Sequence, residues 1–527
     1  MRLSYRNLDK TKAGKILIKG PSVASLESLL TAERVKNYQT STAAGWVYNY
    51  AAKAVDETSL NLLEQLAEEQ QVLGKYKAVL DGVVMNPGEG RMVLHHLTRG
   101  VLGKIVRHNR KDIGKFYAEQ NKRIAAFAAR VHSGSIKGST GKPFETVVQV
   151  GIGGSDLGPR AMFLALEQYV VREKKTLAMN ARFISNVDPD DAAAVLASLH
   201  LDSTLFILVS KSGTTQETLA NENFVRQALK KAGLDDDKHM VAVTSETSPL
   251  AKSPRYLASF YIDDFIGGRY SSTSAVGGAV MSLSLGADIF ARFLAGAHEG
   301  DKAALEPQMR KNAALLDALI GVWERNALKM PYTAVLPYSQ ALSRLPAHLQ
   351  QLDMESNGKS VNRANLPVKY GTGPVLFGEP GTNGQHSFYQ ELHQGTDRVP
   401  LQFIGFQDSQ SGMDVVSEGS TSQVKLKANL AAQIVAFAKG SSNASEPNKN
   451  FAGNRPSSLL LNARLTPETL GALLSHFENK VMFQGFLWNI NSFDQEGVQL
   501  GKVLTKAVLA KGNMDSALKA YSSLLGL

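Results

Sequence analysis

Cysteine is absent from all 527 residues. That excludes disulfides, thiolate nucleophiles, and zinc or iron–sulfur sites held by cysteine. Long hydrophobic runs are missing too. The most apolar stretch, 275–290, is broken by Ser282, Ser284 and Asp288 and falls short of a membrane span. The opening residues lead into alternating charges rather than an apolar signal segment, so a soluble cytoplasmic protein with no membrane partner is expected. No His-Glu-x-x-His pair and no carboxylate cluster has metal-ligand spacing, and no Gly-x-x-x-x-Gly-Lys-Ser/Thr loop occurs, so neither a metal nor a cofactor is expected. Dense basic blocks are also lacking. Lys and Arg number 58 against 48 Asp and Glu, and this net charge of +10 is spread thinly. Such a field favours small anions over nucleic acid.

What is present is the cadence of an α/β protein. The length alone asks for more than one core. Apolar residues at helical spacing, Val23, Leu26 and Leu30 and then Leu60, Leu63 and Leu66, predict helices over 22–32 and 59–78. A further helix is expected over 115–131. The period then shortens. Short apolar runs at 146–150, 182–186, 205–209 and 241–244 alternate with helical or turn-rich stretches, as in βαβ units with a mostly parallel sheet. A second series follows at 332–336, 374–377, 401–406 and 458–461. Thr466-Pro467-Glu468 then caps a helix expected to reach Trp488. The organisation expected is an N-terminal helical segment over 1–111, packed on the larger domain. A smaller α/β domain over 112–280, a larger one over 281–490 and a C-terminal arm over 491–527 follow it.

Several turns after these strands carry chemistry. Ser210-Lys211-Ser212-Gly213-Thr214-Thr215-Gln216-Glu217-Thr218 follows one strand and opens a helix. Free N–H groups and the positive helix end suit a phosphate there, and so many hydroxyls exceed what capping needs. Gly151-Ile152-Gly153-Gly154-Ser155 follows another strand. It lacks the spacing of a dinucleotide fingerprint and reads equally as a tight strand-to-helix turn. Arg269, after Gly267-Gly268, and the carboxylate in Asp353-Met354-Glu355-Ser356-Asn357-Gly358-Lys359 are each compatible with an ordinary solvated turn. Gly378-Glu379-Pro380-Gly381-Thr382-Asn383-Gly384-Gln385-His386 is a stronger signal as a whole, because ordering so much glycine is costly.

Together these segments resemble the phosphoglucose (glucose-6-phosphate) isomerase family. The resemblance runs from Asn86-Pro87-Gly88-Glu89-Gly90-Arg91 to Phe493-Asp494-Gln495-Glu496-Gly497-Val498-Gln499-Leu500-Gly501-Lys502. Glu496 stands where many members carry tryptophan, and Ser212-Gly213 where animal members carry Thr-Phe. The resemblance implies two sugar-isomerase-type three-layer αβα domains with mostly parallel sheets, N-terminal helices and a C-terminal arm. It implies reversible interconversion of glucose 6-phosphate and fructose 6-phosphate, in glycolysis and gluconeogenesis, through ring opening and a cis-enediolate. Phosphate binding falls to Ser210, Lys211, Ser212, Thr215 and Thr218, and other substrate contacts to Gly154, Ser155 and Gln351. Glu355 is implied as base, Arg269 as the cation at the developing oxyanion, and His386 as the ring-opening group with Glu217 as its carboxylate partner. Lys502 is implied to act at the ring oxygen or its hydroxyl. A homodimer with shared sites is implied as well.

Overall fold

The computed structural model describes residues 3–22 and 24–527. Two sheets organise the chain. The first has five parallel strands in the order Ser259–Ile262, Met240–Ser245, Thr204–Val209, Thr146–Val150, Asn180–Ile184. Every residue of Thr204–Val209 and Met240–Ser245 is buried, as expected of strands covered on both faces. Successive side chains go to opposite layers. Leu205 and Ile207 join the large core with Ile124, Phe127 and Met281, while Phe206 and Leu208 pack with Ala192, Leu196, Val225 and Leu229. This is a three-layer α/β arrangement.

The second sheet has six strands, in the order Gln39–Ser41, Val47–Asn49, Ser457–Asn462, Leu401–Phe406, Tyr332–Pro337, Val375–Phe377. The last four are parallel. The first two join antiparallel and add strands to an N-terminal segment expected to be mainly helical. Three residues are too few to show a period, and Val47–Asn49 is held in place by a partner far along the chain, Ser457–Asn462. The helix expected over 22–32 is also two shorter ones, Leu26–Leu29 and Ala32–Asn37. Leu30 is extended, and Thr31 starts the second helix by accepting from the Arg34 N–H. Val23 lies outside the described residues. The helix expected over 59–78 is broken at Gln71, which adopts a left-handed conformation (φ 50°) between Glu57–Glu69 and Val72–Leu80.

Both sheets share one topological feature. In each, the first strand of the parallel set, Thr146–Val150 or Tyr332–Pro337, lies between the second and third strands in chain order. Connections leave in opposite directions at that switch point and open a crevice at the carboxyl ends of the strands. Pro467–Trp488 is buried along nearly its whole length, against Ala287–Ala303 and Ala313–Asn326. Beyond it, Gln499–Leu509 has no buried residue and Ser516–Leu524 has only Ser522. No helix among the described residues is long and apolar enough to cross a membrane.

Candidate active site

Glu355 ends a π-helical turn, Gln350–Glu355, that continues the helix Leu345–Leu349. A π-turn widens the helix and re-aims the side chains it carries, and such turns recur at functional sites. Glu355 Oε2 lies 3.4 Å from Arg269 Nη1; the arginine side chain is fully buried, whereas the glutamate is 25% exposed. Arg269 sits in the short 3-10 helix Gly268–Tyr270. Its Nε donates to Ser356 Oγ (2.6 Å), its Nη2 to the carbonyls of Ser492 (2.7 Å) and Asp494 (3.0 Å), and its Nη1 to Gln495 Oε1 (3.4 Å).

The glycine turn at the first sheet's switch point meets this arginine. A Cβ built on Gly154 would stand 2.2 Å from the carbonyl carbon and oxygen of Gly268, so only glycine permits the approach. Gln149, in the strand before the turn, donates to the Ser155 carbonyl at 2.7 Å. One built on Gly153 would be 3.4 Å from the Gln351 amide nitrogen. Gly154, Arg269 and the pair Gln351 and Glu355 are thus brought into one neighbourhood from three separate segments. Gln351, Glu355, Lys359, Asp494 and Gln495 line a cleft of about 580 Å³, within the usual range for small-molecule sites. A larger, mostly apolar cavity of about 660 Å³ lies between the helix Ser422–Lys439 and the strands Val47–Asn49 and Ser457–Asn462, and none of these residues lines it.

The 210–218 turn lies on the other side of the same switch point. Ser210 is buried; its hydroxyl accepts from the Gly213 N–H (3.1 Å) and donates to Thr215 Oγ1 (3.3 Å). The next strand anchors the turn, with Thr244 Oγ1 donating to the Ser210 carbonyl (2.7 Å) and Ser245 N to that of Lys211 (3.1 Å). The helix that follows, Gln216–Lys231, starts at Thr215 without a side-chain cap bond. The positive end of this helix and its first N–H groups face the hydroxyl-rich turn, an arrangement compatible with an anion. Ser212 and Thr214 are exposed and bonded to each other (3.0 Å), while Thr218 is buried. Lys211 Nζ donates to the Ile266 carbonyl (3.3 Å). Burial holds its ammonium below the usual lysine range, against the opposing pull of Asp264. Lys211 and Gln495 line one small pocket, which links this turn to the Arg269 neighbourhood.

Two expected site residues, His386 and Lys502, make no bond to the others within the chain. His386 is exposed at the end of the 3-10 helix Asn383–His386, and Lys502 is exposed on Gln499–Leu509. Among the described residues, neither makes a hydrogen bond or ion pair with Glu217, Glu355 or Arg269. His95 and His96 are buried, and His95 stacks on Tyr270 with ring centroids 4.7 Å apart. Sequence reasoning assigned no role to Gln495, Ser356 or Ser492. All three lie in or beside motifs that it singled out, but only their folded contacts distinguish them.

A model of the family described as phosphoglucose isomerase matches residues 49–525. The glucose-6-phosphate isomerase of Treponema denticola is 59% identical over 531 residues, covering 99% of this chain and 100% of that one. That of Borreliella burgdorferi is 48% identical over 525 residues, 99% of this chain and 98% of its own. The crystal structure of a glucose-6-phosphate isomerase from Chlamydia trachomatis superposes with a TM-score of 0.92 at 42% identity, covering 99% of both chains.

Proposed function

The chain belongs to the phosphoglucose isomerase family and carries out the interconversion of glucose 6-phosphate and fructose 6-phosphate; we propose that Glu355 and Arg269 are its central pair. The observation that carries this assignment is a carboxylate 3.4 Å from a fully buried guanidinium, at the edge of a cleft beside the switch-point turn. Glu355 removes the proton next to the carbonyl and returns it to the neighbouring carbon. Its fixed approach supplies the entropic part of the rate enhancement. Arg269, held by neutral acceptors and permanently charged, stabilises the enediolate oxygen. The phosphate binds at the uncapped start of Gln216–Lys231 through Ser210, Lys211, Ser212, Thr215 and Thr218. Its binding energy orients the distant reacting carbons. Gly154, Ser155 and Gln351 contact the sugar.

Ring opening belongs to His386, with Glu217 as its carboxylate partner, and Lys502 acts at the ring oxygen. Because His386 is exposed and, among the described residues, makes no hydrogen bond or ion pair with Glu217 or Glu355, a homodimer completes each site with the histidine of the second copy. Exposed apolar residues on the arm, among them Leu500, Val503, Tyr521 and Leu524, support that assembly. The protein works in the cytoplasm.

The test is complementation between two inactive variants. Glu355→Gln keeps the shape and loses the base; His386→Ala loses ring opening. Refolding them together at equal amounts makes half of the dimers mixed. If sites are shared, each mixed dimer holds one intact site, so about a quarter of wild-type activity returns in a coupled assay with fructose 6-phosphate. No recovery, with mixed dimers demonstrated by tag pull-down, refutes the shared site. Wild-type solvent-deuterium exchange by Glu355→Gln alone removes Glu355 as the base.

A further inference from the structure

Arg269 is a buried cation with an uneven set of partners. Guanidinium offers five N–H donors. Ser356, Ser492, Asp494 and Gln495 occupy four of them with neutral oxygens, and its one ion-pair partner among the described residues is Glu355. Its place therefore depends on what holds those neutral oxygens. They trace back to the residues that follow Glu355 in the chain. Ser356 supplies one acceptor itself, and its hydroxyl also bonds the Tyr270 hydroxyl at 3.1 Å. Asn357, fully buried, accepts from Ser492 Oγ (2.7 Å) and donates to the Val481 carbonyl (3.0 Å), which fixes Ser492 against the long central helix. Lys359 Nζ donates to the carbonyl of Glu355 itself (2.7 Å) and to that of Asp494 (3.1 Å), and pairs with the Asp494 carboxylate at 3.0 Å.

We propose that Ser356, Asn357 and Lys359 are positioning residues that bind Glu355, Arg269 and the 492–495 turn into one rigid unit, so that base and cation keep their spacing before substrate arrives. This rests on the roles of Glu355 and Arg269 proposed above. The three residues do not act on the substrate. Ser356 and Asn357 have no exposed surface, and Lys359, although its stem lines the cleft, has its ammonium engaged by the Glu355 and Asp494 oxygens. Their effect passes through the geometry of the pair, where a displacement of about 1 Å is worth on the order of a hundredfold in rate.

The experiment is a double-mutant cycle in the full-length enzyme. Ser356→Ala removes one acceptor from the buried guanidinium and is expected to lower kcat roughly ten- to a hundredfold. KM and the affinity for inorganic phosphate are expected to stay unchanged. In an Arg269→Gln background the same change is expected to cost nothing further in kcat, because the group it acts through is gone. Lys359→Met, which keeps the stem and stays partly solvated, is run in parallel and is expected to follow the same pattern should Ser356→Ala fold poorly. Equal losses in both backgrounds, or a wild-type kcat in both single variants, overturn the proposal. An Arg269→Gln enzyme with wild-type kcat is a different failure: it removes the reading of Arg269 on which the proposal stands.

Discussion

Gly154→Ala is the smallest substitution that should disturb the candidate site, and its effect follows from one distance. The added methyl carbon would lie 2.2 Å from the Gly268 carbonyl carbon and oxygen and 2.8 Å from the Arg269 nitrogen. Ordinary carbon contacts begin at about 3.5 Å, so the two backbones must part by roughly 1 Å. Neither is a free side-chain end that can rotate away; both are main chain in tight turns. Part of the cost falls on stability, about 1–3 kcal/mol for an overpacked interior. The larger part should fall on catalysis, since Arg269 is the next residue after Gly268 and moves with it. A displacement of that size predicts a loss of kcat of about a hundredfold. Binding of inorganic phosphate at the 210–218 turn should be preserved, because that turn is shaped by its own Ser210 hydroxyl and anchored by the Met240–Ser245 strand, neither of which touches Gly154. Steady-state kinetics, phosphate titration and thermal melting of the variant separate these effects. A folded Gly154→Ala enzyme with wild-type kcat would refute the claim that this close approach positions Arg269.

Two further predictions address binding and pH. Ser210→Ala or Thr215→Ala removes one donor from the uncapped helix start, and a hydrogen bond to a charged group is worth about 1.5–3 kcal/mol. KM should therefore rise at least tenfold with little change in kcat, and unchanged affinity for inorganic phosphate by calorimetry would exclude this turn as the phosphate site. Burial pushes the Asp353 carboxyl up to about 6, against the opposing pulls of Lys480 and the Asn357 amide. The folded chain then binds that proton more tightly than the unfolded chain, so stability falls as pH rises from about 4 to about 6 and stays lower above. Asp353→Asn should remove this dependence. Its stability relative to wild type should improve by about 2 kcal/mol between pH 4.5 and pH 8 in denaturant unfolding. An unchanged difference at the two pH values would mean that Asp353 does not titrate there.

Much of the fold is legible in the sequence because its strands are short apolar runs bounded by turn residues. Thr146–Val150 and Leu401–Phe406 have the bounds that their composition predicts, and Thr466 and Pro467 mark the start of the long helix. Other strands differ by a residue or two at their ends, where pairing with a neighbour rather than composition decides the last hydrogen bond. Gln39–Ser41 and Val47–Asn49 were illegible for the same reason, since the chain ahead of Ser457–Asn462 does not reveal that its edge needs a partner.

The candidate site divides along a similar line. Its loops could be read from local chemistry: glycine and hydroxyl residues directly after a strand place a segment at the carboxyl edge of a sheet, where the switch point opens a crevice. The central pair could not be derived that way. Arg269 follows the edge strand Ser259–Ile262, and Glu355 lies within the connection between Tyr332–Pro337 and Val375–Phe377, so neither belongs to a switch-point turn. Their approach depends on the π-turn at Gln350–Glu355, for which 3.6-residue periodicity has no signature. It depends also on Gly154 admitting the Gly268 backbone and on the 492–495 turn arriving from the far end of the chain. Each of those residues taken alone reads as an ordinary turn residue. Only the resemblance to a family linked them beforehand, and the physical reason for the link is the shared crevice into which separate strand ends and connections converge.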